Sequence, residues 1–212
     1  MGKIRVMLVD DHAVVRMGFC MLLQATDDME VAAEVGSGEE AFRRYPDVRP
    51  DVVVLDVSMP GIGGMDALAR ILAKDANARI LVLSAHEDSI HPARAMEAGA
   101  LGYLTKRSAP EELIGAIRRV ASGKAYVEAG IAQQLVLQQA RGGQNPLHVL
   151  TAREFQVFLA LAKGQSASKI AEAMSLSPST VGTHLYNVKQ KLGVSNSAEL
   201  TLIAVRCGLI DA

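Results

Sequence analysis

The chain has 212 residues, a length that fits one large domain or two small ones. Half of the residues are hydrophobic and no apolar run is long enough to span a bilayer, so we expect a soluble, cytoplasmic protein without a signal peptide or a membrane partner. The formal net charge is −1, but residues 1–124 carry 18 acidic and 15 Lys/Arg side chains whereas residues 146–212 carry 4 and 6, which indicates two modules, the second of them suited to a polyanion.

Short apolar runs alternate with amphipathic stretches from residue 3 to residue 122. The runs, which predict buried strands, lie at 4–9, 30–35, 51–55, 79–83 and 101–104. The stretches, which predict helices, lie near 13–25, 39–45, 65–75, 89–98 and 110–121. This alternation predicts a flavodoxin-like α/β domain at residues 1–124, with a five-stranded parallel sheet covered on both faces. In such a sheet, ligands bind beyond the carboxyl ends of the strands.

Residues 125–146 are rich in glycine and end in an Asn-Pro pair, so we interpret them as a linker that carries one helix at about 128–140. No strand pattern follows this segment. Helices are predicted near 151–163, 167–174, 178–192 and 196–206. These helices predict a small all-α domain at residues 147–212.

Polar side chains stand at the carboxyl ends of the predicted strands. Asp10 and Asp11 end the first strand, and Asp56 ends the third. Three converging carboxylates are costly unless a cation compensates their charge, and carboxylate-rich sites suit Mg²⁺, which also bridges to phosphate. Ser84 ends the fourth strand and Lys106 the fifth. A phosphoryl group on Asp56 would therefore meet a metal ion, a hydroxyl and a positive charge, as phosphoryl transfer requires.

Each of these side chains has a structural alternative when it is taken alone. Asp10 or Asp11 could cap the helix that follows, Ser84 could lie in a turn, and Lys106 could be a solvated charge. An enzyme is a further alternative, namely a Mg²⁺-dependent phosphatase with an aspartyl-phosphate nucleophile. In that class the nucleophile follows the first strand, and a second acidic residue lies two positions later. The adjacent pair Asp10-Asp11 lacks this spacing.

The all-α segment contains a short helix, a turn and a second capped helix, which is the arrangement of a helix-turn-helix. One face of the second helix, at 178–192, presents Ser179, Thr180, Thr183, Tyr186, Asn187, Lys189 and Lys191. Hydroxyls, amides and lysines suit phosphates and base edges, so the pattern favours DNA binding. A helical bundle that binds another protein remains the alternative.

The strand ends resemble the receiver domain of two-component response regulators. The motifs that carry this resemblance lie at 9–12, 55–61, 83–85 and 102–106. The resemblance implies that Asp56 accepts a phosphoryl group from a sensor histidine kinase and that Ser84 and Lys106 contact that group. It also implies that Tyr103 turns inward on activation. The implied Mg²⁺ ligands are Asp10, Asp11, Asp56 and the backbone carbonyl of Ser58.

The all-α segment resembles the LuxR-type DNA-binding domain, through motifs at 151–154, 169–171, 179–181, 183–184 and 191–194. The whole chain is therefore identified as similar to NarL/FixJ-family response regulators. Segments at 59–64, 86–88, 131–135 and 204–212 resemble the GacA/UvrY/SirA branch. This resemblance implies a transcription factor and not an enzyme, one that binds double-stranded promoter DNA, is a homodimer when active, and has only self-directed phosphoryl transfer and autodephosphorylation at Asp56. The implied DNA contacts are Ser179, Thr180, Thr183, Tyr186, Lys189 and Lys191.

The sequence departs from the family pattern at three positions. Arg107 follows the lysine where many receivers have a proline whose cis peptide bond aims that lysine, and a cis bond without proline costs about 3 kcal/mol. Gly182 stands where the family commonly has lysine, and Ser197 stands where it often has arginine. Glycine cannot reach a base, so we expect Thr183 and Tyr186 to read bases and Lys189 and Lys191 to contact phosphates.

Overall fold

The computed structural model describes residues 2–85, 90–140 and 146–210. For residues 138–140 it describes the backbone only. The branch motif at 86–88 and the last two residues therefore lie outside the described residues. The chain divides into two compact units, Met1–Val136 and Leu137–Ala212, and their boundary falls inside the predicted linker. None of the helices that the structure describes is long and apolar enough to cross a membrane.

The first unit is built on a parallel sheet with the strand order β2-β1-β3-β4-β5-β6. Its strands are β1 (Ile4–Val9), β2 (Met29–Val35), β3 (Val52–Asp56), β4 (Ile80–Ser84), β5 (Gly102–Thr105) and β6 (Tyr126–Val127). Its helices are α1 (Ala13–Gln24), α2 (Gly38–Val48), α3 (Gly63–Lys74), α4 (Ile90–Glu97), α5 (Pro110–Ala121) and the part of α6 (Ala129–Ala140) up to Val136. The predicted flavodoxin-like α/β class is confirmed.

The prediction of five strands was wrong, because the described sheet has six. The additional strand, β6, has only two residues and pairs with β5 through Gly102 opposite Tyr126 and Tyr103 opposite Val127. Two residues produce no apolar run and no alternation, so the pattern that identified the other strands is absent from this one.

Alternate residues of the central strands face opposite sides of the sheet, since side chains alternate along a strand. In β1, Met7 belongs to one buried cluster and Leu8 to the other. In β3, Leu55 and Val54 divide in the same way. Both faces are covered by helices, which explains why these strands are continuously apolar instead of alternating.

A glycine at the start of α3 allows this helix to lie against the end of β3. A Cβ built on Gly64 would lie 2.1 Å from the carbonyl oxygen of Asp56 and 2.6 Å from the Cα of Val57. Only glycine, which has no Cβ, permits this approach. The close packing fixes the backbone of Asp56 at the carboxyl end of its strand.

The first part of α6 is packed against the sheet. Ile131 is only 3% exposed and lies in the same buried cluster as Tyr103 and Ala95, and Leu135 packs against that cluster. The segment predicted as a linker from residue 125 to residue 146 therefore begins with β6 and a buried helical turn that extend the first unit.

The second unit is helical. A 3-10 helix (Pro146–Val149) precedes α7 (Ala152–Ala162), α8 (Ala167–Ala173), α9 (Pro178–Leu192) and α10 (Ser197–Arg206). Side-chain caps start each α-helix, as the capping box of Thr151 and Glu154 does for α7. Gly193 ends α9 with a positive φ of 66°, the conformation that favours glycine at a helix end. Ile170 of α8 and Val181 of α9 are buried in the same cluster as Val157 of α7.

Candidate functional site

The carboxyl ends of β1 and β3 bring acidic side chains together as the sequence predicts. Asp10, Asp11, His12 and Asp56 each offer a potential metal-binding atom, and these atoms lie within 4.8 Å of one another. Asp10 and Asp56 are buried, whereas Asp11 is half-buried. Burying these carboxylates together is unfavourable unless a cation or hydrogen bonds compensate them.

Lys106 compensates two of the carboxylates. Its Nζ lies 2.7 Å from Asp56 Oδ2 and 2.7 Å from Asp10 Oδ2. The other oxygen of Asp56, Oδ1, accepts a hydrogen bond of 2.9 Å from the backbone N–H of Ser58. Both oxygens of Asp56 are thus held in fixed directions at a fully buried position.

The site perturbs the ionisation of both partners. Burial raises the pKa of Asp56, although hydrogen bonds from Lys106 and Ser58 act in the opposite direction. Burial alone would lower the pKa of Lys106, but its hydrogen bonds to Asp10 and Asp56 prevail and raise the pKa above its ordinary value. The ammonium of Lys106 therefore remains charged at neutral pH and balances one negative charge of the cluster.

Residues Asp10, Asp11 and Asp56 fit a Mg²⁺ ion. Asp11 Oδ1 is a buried oxygen atom that accepts no hydrogen bond from the described residues, and its ion-pair partner is the ring of His12, with Nδ1 at 3.0 Å. Carboxylate oxygens are the ligands that Mg²⁺ prefers, and Lys106 neutralises only part of their charge. The backbone N–H bond of Ser58 to Asp56 places Ser58 at the same edge, while the ligand role of its carbonyl stays a prediction.

His12 joins this cluster although the sequence analysis gave it no role. Its backbone N–H donates to Asp10 Oδ1 at 2.8 Å, and its ring Nδ1 lies 3.2 Å from the same atom. Its position directly after Asp10 and Asp11 in the chain is the signal that could have identified it. Arg16, one turn into α1, also donates to the backbone carbonyl of Asp10.

Ser84 and Tyr103 lie on the neighbouring strands β4 and β5. Both are fully buried, and Ser84 pairs with Thr105 in the register of the two strands. Tyr103 belongs to the buried cluster that includes Ala95 and Ile131, so its ring lies inside the core. The predicted phosphoryl contact of Ser84 and the predicted inward movement of Tyr103 stay predictions.

The residue after Lys106 is Arg107, and the described part of the chain contains no cis peptide bond. Directly after β5, the backbone N–H of Lys106 donates a hydrogen bond of 2.8 Å to the carbonyl of Ser84. A backbone bond of 3.2 Å from Ser108 to Thr105 then closes a turn around Lys106. Lys106 reaches the carboxylates from this turn without proline.

Helix α9 presents an exposed polar face in the second unit. Its residues are Ser179, Gly182, Thr183, Tyr186 and Gln190, all exposed. Their spacing of three and four residues places them on one side of the helix. Val181 and Val188 are buried on the opposite side. Tyr186, at the centre of the exposed face, is 63% exposed.

The predicted DNA contacts are not all on this face. Ser179, Thr183 and Tyr186 lie on it, whereas Thr180 and Lys189 are half-buried at its sides. The hydroxyl of Thr180 lies 2.8 Å from the Ser177 hydroxyl that caps the helix. The hydroxyl of Ser179 lies 2.7 Å from the same Ser177 hydroxyl, so both residues also take part in the start of α9.

Lys191 has a partner within its own unit. Its Nζ donates a hydrogen bond of 2.6 Å to Glu154 Oε2, the carboxylate of the α7 capping box. Lys191 therefore joins α9 to α7, and its contact with DNA stays a prediction. The sequence analysis considered α9 alone and did not include the partner on α7.

Gln190 was missed, although it is exposed and follows Tyr186 by four residues. An amide at this spacing extends the polar face by one turn, and amides pair with base edges. The helical period could have identified it. Gly182 lies within the same face and adds no side chain there, as the sequence indicates.

Comparisons with known proteins agree with both units. Residues 6–118 match the response regulator receiver domain, and residues 148–204 match the bacterial regulatory proteins of the luxR family. The response regulator UvrY of Escherichia coli strain K12 is 41% identical over 99% of this chain and 97% of its own length. The response regulator GacA of Pseudomonas aeruginosa is 38% identical over 99% of both chains.

A solved structure also has a similar fold. It is RcsB from Salmonella enterica serovar Typhimurium, bound to the promoter rprA in the presence of the phosphomimetic BeF3⁻. The match covers 95% of this chain and 98% of that chain, with a TM-score of 0.69 and 22% identity. At this identity the likeness concerns the fold.

Proposed function

The chain belongs to the two-component response regulators that join a receiver domain to a LuxR-type DNA-binding domain, and we propose that phosphorylation of Asp56 by a sensor histidine kinase controls its binding to promoter DNA. Membership in the GacA/UvrY branch, predicted from the sequence, is confirmed by the relatives. Those relatives are named response regulators, and we propose that this chain regulates transcription. Self-directed phosphoryl transfer and autodephosphorylation at Asp56 belong to the proposal.

The observation that carries the proposal is the fixed, buried position of Asp56 beside a cation. Lys106 holds Oδ2, and the backbone N–H of Ser58 holds Oδ1. In the proposed step, one oxygen of Asp56 forms a bond to phosphorus while the bond from phosphorus to the donor breaks, and Lys106 then stabilises the added negative charge. Asp10, Asp11 and Asp56 would hold the Mg²⁺ ion, which supplies further charge neutralisation when bound.

A protein partner near the site is supported by exposed apolar side chains on α1. Val14, Met17 and Met21 are 82%, 62% and 67% exposed, and their spacing places them along one side of the helix. This helix begins directly after Asp10 and Asp11, at the edge of the sheet that holds Asp56. A kinase that docks there would bring its phosphohistidine close to the acceptor.

Promoter DNA as the ligand of the second unit is supported by the exposed face of α9 and by the promoter-bound state of the similar RcsB structure. The unit has few basic residues, so one copy makes few phosphate contacts and two copies bind DNA better than one. We place the proposed contact between two chains on α10, where Leu202 is 58% exposed. Because the ligand is promoter DNA, we propose that the protein acts in the cytoplasm.

The first test measures phosphorylation directly. The full chain is incubated with acetyl phosphate and Mg²⁺ and then analysed by intact-mass and peptide mass spectrometry. We expect one phosphoryl group on the wild type at Asp56, none on Asp56→Asn, and none when Mg²⁺ is chelated. An unmodified wild-type chain would exclude the proposed switch.

The second test measures DNA binding. We expect a gel shift with duplex DNA that increases after phosphorylation and weakens at high salt, since phosphate contacts release counterions. Tyr186→Ala should reduce the affinity about tenfold, because it removes the central side chain of the exposed face. Lys163→Ala, at an exposed position outside that face, is the matched control. Equal binding by Tyr186→Ala and the wild type would argue for a different DNA-binding surface.

A further inference from the structure

A single carboxylate holds the loop that carries Lys106. Glu128 Oε2 accepts a hydrogen bond of 3.0 Å from the backbone N–H of Thr105 and one of 2.8 Å from the hydroxyl of Ser108. The hydroxyls of Thr105 and Ser108 lie 3.0 Å from each other. The residue before Lys106 and the residue that closes its turn are thus bound to the same oxygen atom.

Strand β6 delivers Glu128 to this position. The backbone N–H of Glu128 donates to the carbonyl of Tyr103 at 3.2 Å, which continues the pairing of β6 with β5. The next backbone N–H along β5 is that of Thr105. It donates to the side chain of Glu128 and not to the backbone of a further strand residue. Helix α6 begins at Ala129, and its buried Ile131 anchors the segment on the core.

The two sides of the loop are therefore fixed independently. On the β4 side, the N–H of Lys106 donates to the carbonyl of Ser84. On the β6 side, Thr105 and Ser108 donate to Glu128. Arg107 lacks the ring with which proline would restrict the backbone at this point, so the stiffness of the loop depends on these hydrogen bonds.

The ionisation of Glu128 agrees with this arrangement. Burial raises the pKa of its carboxyl, but the bonds from Thr105 and Ser108 outweigh burial and hold the pKa below its ordinary value. The carboxylate is consequently charged at neutral pH, and hydrogen bonds to a charged acceptor are stronger than neutral ones.

We propose that Glu128 is a positioning residue for Lys106, which holds the β5–α5 loop so that the ammonium reaches Asp56 and the phosphoryl group. The inference rests on the proposed phosphorylation of Asp56. Because both hydrogen bonds converge on one oxygen atom, glutamine can keep both and alanine can keep neither. The positioning role therefore predicts different results for two substitutions that both remove the charge.

The test compares rates of phosphorylation by acetyl phosphate with Mg²⁺ in the full chain. Glu128→Ala should slow the reaction about tenfold, as the loss of a partner that orients a functional side chain commonly does. Glu128→Gln should react at close to the wild-type rate, because glutamine keeps the oxygen atom that accepts both hydrogen bonds. Glu112→Ala is the matched control, since Glu112 accepts the hydroxyl hydrogen bond of Tyr126 at 2.7 Å and so also binds β6, but its carboxylate does not accept the hydrogen bonds of Thr105 and Ser108. We expect this control to react at the wild-type rate.

A double-mutant cycle separates positioning from a general loss of structure. In a Lys106→Ala background, Glu128→Ala should produce little further slowing, because the side chain that it positions is gone. Full slowing in that background, or equal slowing by Glu112→Ala, would overturn the inference. If the wild type reacts at Asp56 and Glu128→Ala reacts equally fast, the inference fails alone; if the wild type does not react, the proposed function has failed first.

Discussion

At the scale of single residues, the charge of Lys106 stabilises the fold as well as the site. One ammonium lies 2.7 Å from carboxylate oxygens of both Asp10 and Asp56, in surroundings that exclude most water. When one partner of a buried ionic group is removed, the remaining charges lose their compensation, and the cost commonly reaches about 3 kcal/mol.

We therefore expect Lys106→Met to lower the free energy of unfolding of the first unit by about 3 kcal/mol when Mg²⁺ is absent. Adding Mg²⁺ should restore part of this loss, because an ion that binds only the folded state stabilises it. Urea unfolding followed by tyrosine fluorescence measures both effects. The control Lys124→Met changes an exposed side chain and should stay within about 0.5 kcal/mol of the wild type. A variant as stable as the wild type would show that the carboxylates do not need this cation.

Gly64 determines the position of Asp56 through the absence of a side chain. Gly64→Ala would place Cβ 2.1 Å from the Asp56 carbonyl oxygen, where only movement of the backbone can relieve the overlap. We expect a loss of about 1–3 kcal/mol in the free energy of unfolding and slower phosphorylation by acetyl phosphate. Gly115→Ala, in the exposed interior of α5 with nothing within 4 Å, should instead stabilise the chain by up to about 1 kcal/mol. Equal stability of the two variants would contradict the close packing of α3 on β3.

At the scale of secondary-structure elements, the ion pair of Glu154 with Lys191 connects α7 to α9. Burial raises the pKa of Glu154, but the bonds from Lys191 and Thr151 outweigh it, and the pKa lies below the ordinary value of 4.5. A carboxyl with a lowered pKa stabilises the folded state above its unfolded pKa and loses this effect as the pH falls through the folded pKa. The pair therefore stabilises the second unit fully at neutral pH. This contribution declines as the pH falls below about 4.5 and is lost once the pH has fallen through the lower pKa of Glu154 in the folded state.

Glu154→Gln keeps the size of the side chain and removes its charge. We expect it to lower the free energy of unfolding by about 1 kcal/mol at pH 7, a small value because Lys191 is partly exposed. The difference from the wild type should be smaller at pH 3.5, which lies below the ordinary pKa of the carboxyl, than at pH 7. Urea unfolding followed by the circular dichroism of the helices measures this at both pH values, with Glu172→Gln on α8 as a control that should match the wild type. A difference that does not change with pH would exclude the ion pair as its cause.

Elements that carry their own signal could be predicted from the sequence. The apolar runs of β1, β3 and β4 and the caps of α7 and α9 could be predicted, because each depends only on residues that are neighbours in the sequence. Asp10, Asp11 and Asp56 could be brought together because parallel strands end at the same edge of a sheet. Features that depend on a partner far away in the sequence could not be predicted. The two residues of β6 are held by β5, and Lys191 is bound by a carboxylate 37 positions earlier in the chain.

At the scale of the whole molecule, we propose that two copies of the chain pair through α10, where Leu202 is 58% exposed. We expect the phosphorylated wild type to sediment as a dimer and Leu202→Glu to remain a monomer, because a charge at the centre of an apolar contact is not compensated. Lys169→Glu, at an exposed position of α8, should dimerise like the wild type. Sedimentation velocity before and after treatment with acetyl phosphate and Mg²⁺ distinguishes these outcomes. Dimers of Leu202→Glu at wild-type strength would place the contact elsewhere.

Strand β6 also protects the sheet from other molecules. It covers the backbone of β5 at Gly102 and Tyr103, and the side chain of Glu128 occupies the next N–H group. A fragment that ends at Lys124 would leave this backbone open to strand pairing with another chain and would uncover the side of the core that Ile131 closes. Such a fragment should aggregate. To release a soluble first unit, a protease must therefore cleave on the C-terminal side of the packed part of α6, beyond about residue 136.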